Sequence, residues 1–194
     1  MNKKVIIFQH GGGELANQLW NFVSIYAYCL EKGYKCRNYS FFEFGKFFNI
    51  PVGNLLIDFF FFWPFRSYTK RRNSLRVRIW RFLYKILYAV HIERFFKNYI
   101  ISSKNIEKKA YYLPPSASTP ELERLEQKRQ TLYMTGWLFR NPLGIKKYRE
   151  QIVKYFAPNS NISGSIRKTI NSLGERFTHL VGVHIRQSDY KVYK

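Results

Sequence analysis

The stretch from residue 4 to residue 33 constrains the fold of this chain more than any other. It opens on Lys4-Val5-Ile6-Ile7-Phe8-Gln9 and breaks at His10-Gly11-Gly12-Gly13. β-branched residues favour a pleated strand and clustered glycines end one, so residues 4–9 are predicted to form a buried strand meeting a turn. Residues 14–32 then carry Leu15, Leu19, Phe22, Val23, Tyr26 and Leu30. That spacing gives a helix with one apolar face. Gly33 closes the helix as a C-terminal cap, and residues 34–39 follow as a second strand. Strand, glycine turn, helix and strand in this order open an α/β fold with a parallel sheet.

The chain has 194 residues, which suits one domain or one domain plus the start of a second. Hydrophobic residues make up 46%, enough for a core, which excludes wholesale disorder. Two cysteines exclude a disulfide scaffold. With no histidine at metal-ligand spacing, Cys29 and Cys36 read as reduced thiols and a zinc site is not expected. The apolar run at residues 5–8 is too short for the core of a signal peptide. The run at 55–65 is broken by Asp58 and Pro64 and falls short of the ~20 residues a spanning helix needs. The expected location is cytoplasmic. Thirty-three Lys and Arg against twelve Asp and Glu give a net charge of +21. Such a charge points to an anionic partner: nucleotide phosphates, an acidic membrane surface, a polyanionic glycan or nucleic acid.

Residues 66–109 hold 13 basic side chains against Glu93 and Glu107, a net +11, about half of the whole excess. Within them, 74–98 has helical periodicity, with Leu75, Ile79, Phe82, Leu83, Ile86, Val90 and Phe95 on one side. Arg76, Arg78, Arg81 and Lys85 occupy much of the remainder. Phe59-Phe60-Phe61-Phe62-Trp63-Pro64-Phe65 precedes them. Two readings stand side by side. In one, the aromatics are core and the bases a solvated face. In the other, the segment rests on an anionic membrane, aromatics in the interface and bases over lipid phosphates. No RNP-type motif, zinc knuckle or helix-turn-helix pattern is present, so charge alone offers nucleic acid only non-specific, salt-sensitive binding. Beyond this stretch, 112–120 reads as a loop, 132–137 as a strand and 144–156 as a helix stopped by Pro158. A helix at 162–173, capped by Gly174, and a buried strand at 178–185 complete the expected order.

Two runs carry residues suited to chemistry. Gly11-Gly12-Gly13-Glu14-Leu15-Ala16 satisfies G-x-G-x-x-A between a strand and a helix, where free N–H groups and the helix dipole favour an anion. A dinucleotide site also wants an acid about 20 residues on, and Arg37-Asn38-Tyr39-Ser40 occupies that place. A bare tight turn and an NADP-type site using Arg37 both remain open. The second run is Val183-His184-Ile185-Arg186-Gln187-Ser188-Asp189-Tyr190. Alternate strand residues share a face, so His184 and Arg186 project together from the strand's carboxyl end, where α/β sheets bind ligands. The planar guanidinium of Arg186 suits a phosphate, and Asp189 can hold Arg186 or its loop. The bland alternative makes His184 a core histidine and Arg186–Asp189 a surface ion pair. Glu14 and His10 flank the glycine turn and are candidates for a general base, though Glu14 equally suits a first-turn acid on the helix dipole. His91 and His179 read as packing or surface residues.

Taken together, these runs resemble a known family. Gly13-Glu14-Leu15-Ala16-Asn17-Gln18-Leu19-Trp20-Asn21-Phe22 resembles the N-terminal G-R-L-G-N-Q-L/M-F-Q-Y signature of the α-1,2-fucosyltransferases, glycosyltransferase family 11. His184 to Tyr190 resembles that family's H-x-R-x-G-D-Y motif, and Leu132-Tyr133-Met134-Thr135-Gly136-Trp137-Leu138-Phe139 its Y-L-x-G-Y-x-Q strand. Ser188 stands where the motif has glycine, Gln187 where a second base is commoner, and Ala16 where a glycine is usual. Residues 41–118 do not align.

The resemblance implies a GT-B fold, two Rossmann-like domains across a cleft. Residues 1–157 would form the N-terminal, acceptor-side domain, with a basic aromatic helical insertion at about 55–110. Residues 158–194 would open the donor domain, incomplete here. It implies inverting, metal-independent transfer of fucose from GDP-fucose to a glycan hydroxyl, with no cofactor. Arg186 would bind the donor diphosphate as a catalytic residue; Glu14 joins it as a candidate catalytic base on its position beside the glycine turn alone. His184, Asp189, Tyr190, Gly12, Gly13, Asn17 and Gln18 would contact substrate. The chain stops four residues after Tyr190. The expectation is therefore a portion of a longer enzyme, inactive alone. The non-catalytic alternative is a basic α/β module that binds an anionic membrane or polyanion.

Overall fold

A computed structural model of the chain describes residues 3–8, 15–38, 40–41, 44–50, 82–83, 85–86, 89–90, 99–101 and 109–173. Cα packing divides the chain into two units, Met1–Pro158 and Asn159–Lys194.

In the first unit, β1 (Lys4–Phe8) is followed by α1 (Leu15–Lys32) and β2 (Lys35–Asn38). β3 (Tyr99–Ile101) and β5 (Thr131–Thr135) complete one sheet in the order β2-β1-β5-β3. All three pairings are parallel. β1 is a central strand, and its Val5 and Ile7 are wholly buried, as an apolar run between two partners should be. α1 lays Phe22, Ile25, Ala27, Tyr28 and Cys29 into the same core. Its end is a Schellman motif: Tyr34 N–H donates to the Cys29 carbonyl and Gly33 N–H to the Leu30 carbonyl. Gly33 sits at φ 66°, a conformation that disfavours any side chain even though open space surrounds it.

The expected mixed α/β fold with a parallel sheet is what forms. Several elements differ from expectation. β3 lies inside the stretch expected to be a helical insertion, and its three residues are too few to show a period. α2 (Pro120–Lys128) follows the 112–120 loop, with Thr119 Oγ1 accepting from Leu122 N–H and Pro120 in the first turn. The expected strand at 132–137 ends at Thr135, because Gly136 turns the backbone at φ 96°. β4 (Tyr111–Tyr112) and β6 (Phe139–Arg140) then pair as a separate two-stranded sheet. The single helix expected at 144–156 is two, α3 (Pro142–Lys147) and α4 (Arg149–Tyr155), separated at Tyr148.

α3 starts early because Asn141 caps it. Asn141 Oδ1 accepts from Gly144 N–H at 3.1 Å and Nδ2 donates to the Pro114 carbonyl at 2.8 Å. A side chain at Gly144 would meet Asn141 at 2.5 Å, so this cap requires glycine. In the second unit, α5 (Ser160–Ser172) is capped by Asn159 and has no buried residue. The strand expected at 178–185, the cap at Gly174 and most of the helix expected at 74–98 lie outside the described residues.

A buried carboxylate clamps the far end of α1 to α2. Glu126 accepts from Tyr28 Oη at 2.6 Å and from Lys32 Nζ at 3.0 Å, and the Lys3 ammonium donates to its carbonyl. Burial, then this bond to Glu126, holds the Tyr28 phenol above its ordinary pKa. A raised folded pKa means the stabilisation is complete below the unfolded value, about 10, and is lost as pH climbs beyond it. Tyr28→Phe should therefore weaken the alkaline fall in stability. At neutral pH it should cost about 1.5–3 kcal/mol, the worth of a hydrogen bond to a charged group. Urea midpoints measured from pH 7 to pH 11 test both effects.

Candidate functional site at the carboxyl edge of the sheet

Parallel pairing brings every strand's carboxyl end to one edge. Ile7 stands beside Asn38, Phe8 beside Thr135, and Ile101 beside Thr135. α1 is the next described element after β1 and begins at Leu15, so its N-terminus belongs to this edge. In doubly wound α/β proteins, ligands bind outside this edge.

Two of the expected site residues are described. Asn17, in the first turn of α1, is exposed, and Gln18 is half-buried and engaged with a neighbour. Gly12, Gly13, Glu14, His184, Arg186, Asp189 and Tyr190 lie outside the described residues, as do His10, His91 and His179. Arg37 is half-buried and donates to the Cys36 carbonyl at 3.0 Å.

Asn21 is the residue that organises this edge, and it was not singled out from the sequence. It is wholly buried. Its Oδ1 accepts from Phe139 N–H at 3.0 Å and its Nδ2 donates to the Gly136 carbonyl at 3.3 Å. One amide thus joins α1 to the turn after β5. The first half of α1 and residues 136–139 are tied together by this side chain. A buried Asn inside an otherwise apolar helical face was the legible signal.

Asn38, the last residue of β2, carries a different signature. It is 3% exposed. Its Oδ1 accepts from Ser40 N–H at 3.1 Å and Ser40 Oγ at 2.5 Å. The Ser40 N–H can only donate, which assigns the oxygen to that side. The Nδ2 group on the other side is buried without a hydrogen-bond partner. An orphaned buried donor at the carboxyl edge of the sheet calls for an acceptor.

Arg140, in β6, is the other polar group not anticipated here. It is half-buried, and its Nη1 donates to the Trp137 and Phe139 carbonyls at 3.3 and 2.7 Å. Neither partner is a carboxylate, so its charge is left uncompensated by them.

Cys29 and Cys36 are buried free thiols. Burial, then the neighbouring Cys36 thiol, holds Cys29 well above the ordinary thiol pKa, so it is no nucleophile at neutral pH. Among the described residues, no three His, Cys, Asp or Glu side chains come together, and no helix is long and apolar enough to cross a membrane.

No family model matches the chain, and neither the curated proteins nor the solved structures contain a match to it.

Asn21→Ala should leave the buried Phe139 N–H unpaired and cost about 1–3 kcal/mol. Chemical denaturation measures the loss, and faster hydrogen exchange at the Phe139 amide locates it.

Proposed function

We propose that this chain is the acceptor-side portion, with the opening of the donor domain, of a cytoplasmic GT-B glycosyltransferase that transfers fucose from GDP-fucose to a glycan hydroxyl. The observation that carries the reading is the ordered set of three motif-like stretches, the first two of which Asn21 joins at the carboxyl edge of a parallel sheet. The third, His184-Ile185-Arg186-Gln187-Ser188-Asp189-Tyr190, supplies the charge chemistry.

In this reading the acceptor oxygen attacks the anomeric carbon while the bond from that carbon to the β-phosphate oxygen breaks, inverting the configuration. The acceptor proton passes to Glu14, and the negative charge gathering on the departing GDP is met by Arg186. A fixed guanidinium aimed at a leaving phosphate performs the task that a divalent cation performs elsewhere, typically worth about 10²–10³ in rate. His184, two residues before Arg186 in the sequence, and Asp189 and Tyr190 just after it would contact the substrate. Gly12 and Gly13 allow close backbone approach, and Asn17 and Gln18 face the acceptor from the first turn of α1. Asn38 offers its unpaired amide N–H to an acceptor hydroxyl.

Titration of the chain with GDP-fucose, GDP, GMP and NADP⁺ by calorimetry tests the reading. Binding should require the diphosphate and should persist in chelator. Arg186→Ala should weaken it by about tenfold or more, the loss of at least one charge-assisted contact. Undiminished GDP-fucose binding by the Arg186 variant, or preference for NADP⁺, would sink the assignment.

A further inference from the structure

Phe82, Leu83, Ile86 and Val90 are 64%, 41%, 42% and 56% exposed. Residues 82, 83, 85, 86 and 89 are helical, and Val90 N–H donates to the Ile86 carbonyl at 2.9 Å. At about 100° per residue, the four side chains fall within an arc of about 100°. Lys85 is exposed and lies about 60° outside the edge of that arc. Single exposed apolar residues are ordinary, but four on one arc form a patch that water disfavours.

The partner must satisfy both the patch and the charge of the sequence that carries it. The sequence from 66 to 109 carries a net +11. Among the described residues, no core covers these side chains. Nucleic acid would be served by the bases alone and leaves aliphatic Leu83, Ile86 and Val90 without purpose. An anionic bilayer surface serves both: apolar side chains enter the boundary between headgroups and acyl chains, and the ammonium beside them meets lipid phosphate.

We infer that Phe82, Leu83, Ile86 and Val90, with Lys85 beside them, form a peripheral docking face for an anionic lipid bilayer. This goes beyond the transferase reading and stands independently of it. Apolar insertion gives the depth and flanking charge gives the lipid preference, so each can be removed separately.

Co-sedimentation of the full chain with phosphatidylcholine vesicles, with and without phosphatidylserine, tests the face. The chain should pellet with the anionic vesicles and far less with neutral ones. Phe82→Ser/Ile86→Ser/Val90→Ser combined should reduce the partition coefficient by about tenfold or more, because the apolar area has gone while the charge is unchanged. Lys85→Glu should narrow the difference between the two vesicle types. All of these side chains are exposed, so circular dichroism and the melting temperature should stay as in the parent chain. Equal pelleting of the triple variant and the parent overturns the proposal, since charge alone would then explain it. So does binding to single-stranded oligonucleotide at physiological salt with no vesicle binding, which would assign the face to nucleic acid.

Discussion

Everything in the first unit depends on β1 being paired in parallel on both sides. A strand with two parallel neighbours has its backbone groups satisfied on both edges, and here its apolar Val5 and Ile7 are shut from water. Parallel neighbours cannot be joined by a tight turn, so the chain must cross back over the sheet, and α1 is that crossover. The same geometry collects the strand ends, the start of α1 and the turn after β5 at one edge. The candidate site exists because of that collection.

Two side-chain amides then give the edge its character. Asn21 uses both of its polar atoms to hold α1 against the turn at Gly136. Asn38 uses only its oxygen. The contrast separates a structural amide from one with a donor to spare. At the opposite end of α1, Glu126 is satisfied by Tyr28 and Lys32. α1 is thus anchored by polar contacts at both ends and by Phe22, Ile25 and Ala27 between them.

The strand, helix and strand of the opening were legible because each of their signals is local: β-branching, a 3.6-residue period and a glycine at the helix end. The start of α2 was legible by the same logic, since Thr119-Pro120-Glu121 is a strong helix-start pattern, yet the prolines beside it drew the whole stretch into a loop. The division of residues 142–155 into two helices was not legible, because the hydrogen-bond ladder nearly continues through Tyr148. β3 was hidden for a different reason. Three residues in a basic stretch acquire strand character only by pairing with β5.

For the candidate site, the chain alone determined the residue types: a glycine turn, an Arg at alternate spacing with a His, and an excess of positive charge. Those properties are written in local composition and period and need no partner to be read. Tertiary structure decided which polar groups are satisfied and which are not. The pairing of Asn21 with Phe139, the orphaned amide of Asn38 and the exposure of Phe82, Leu83, Ile86 and Val90 all depend on neighbours distant in sequence. A hydrogen bond or a buried face is a property of two surfaces meeting, and one-dimensional spacing specifies only one of them.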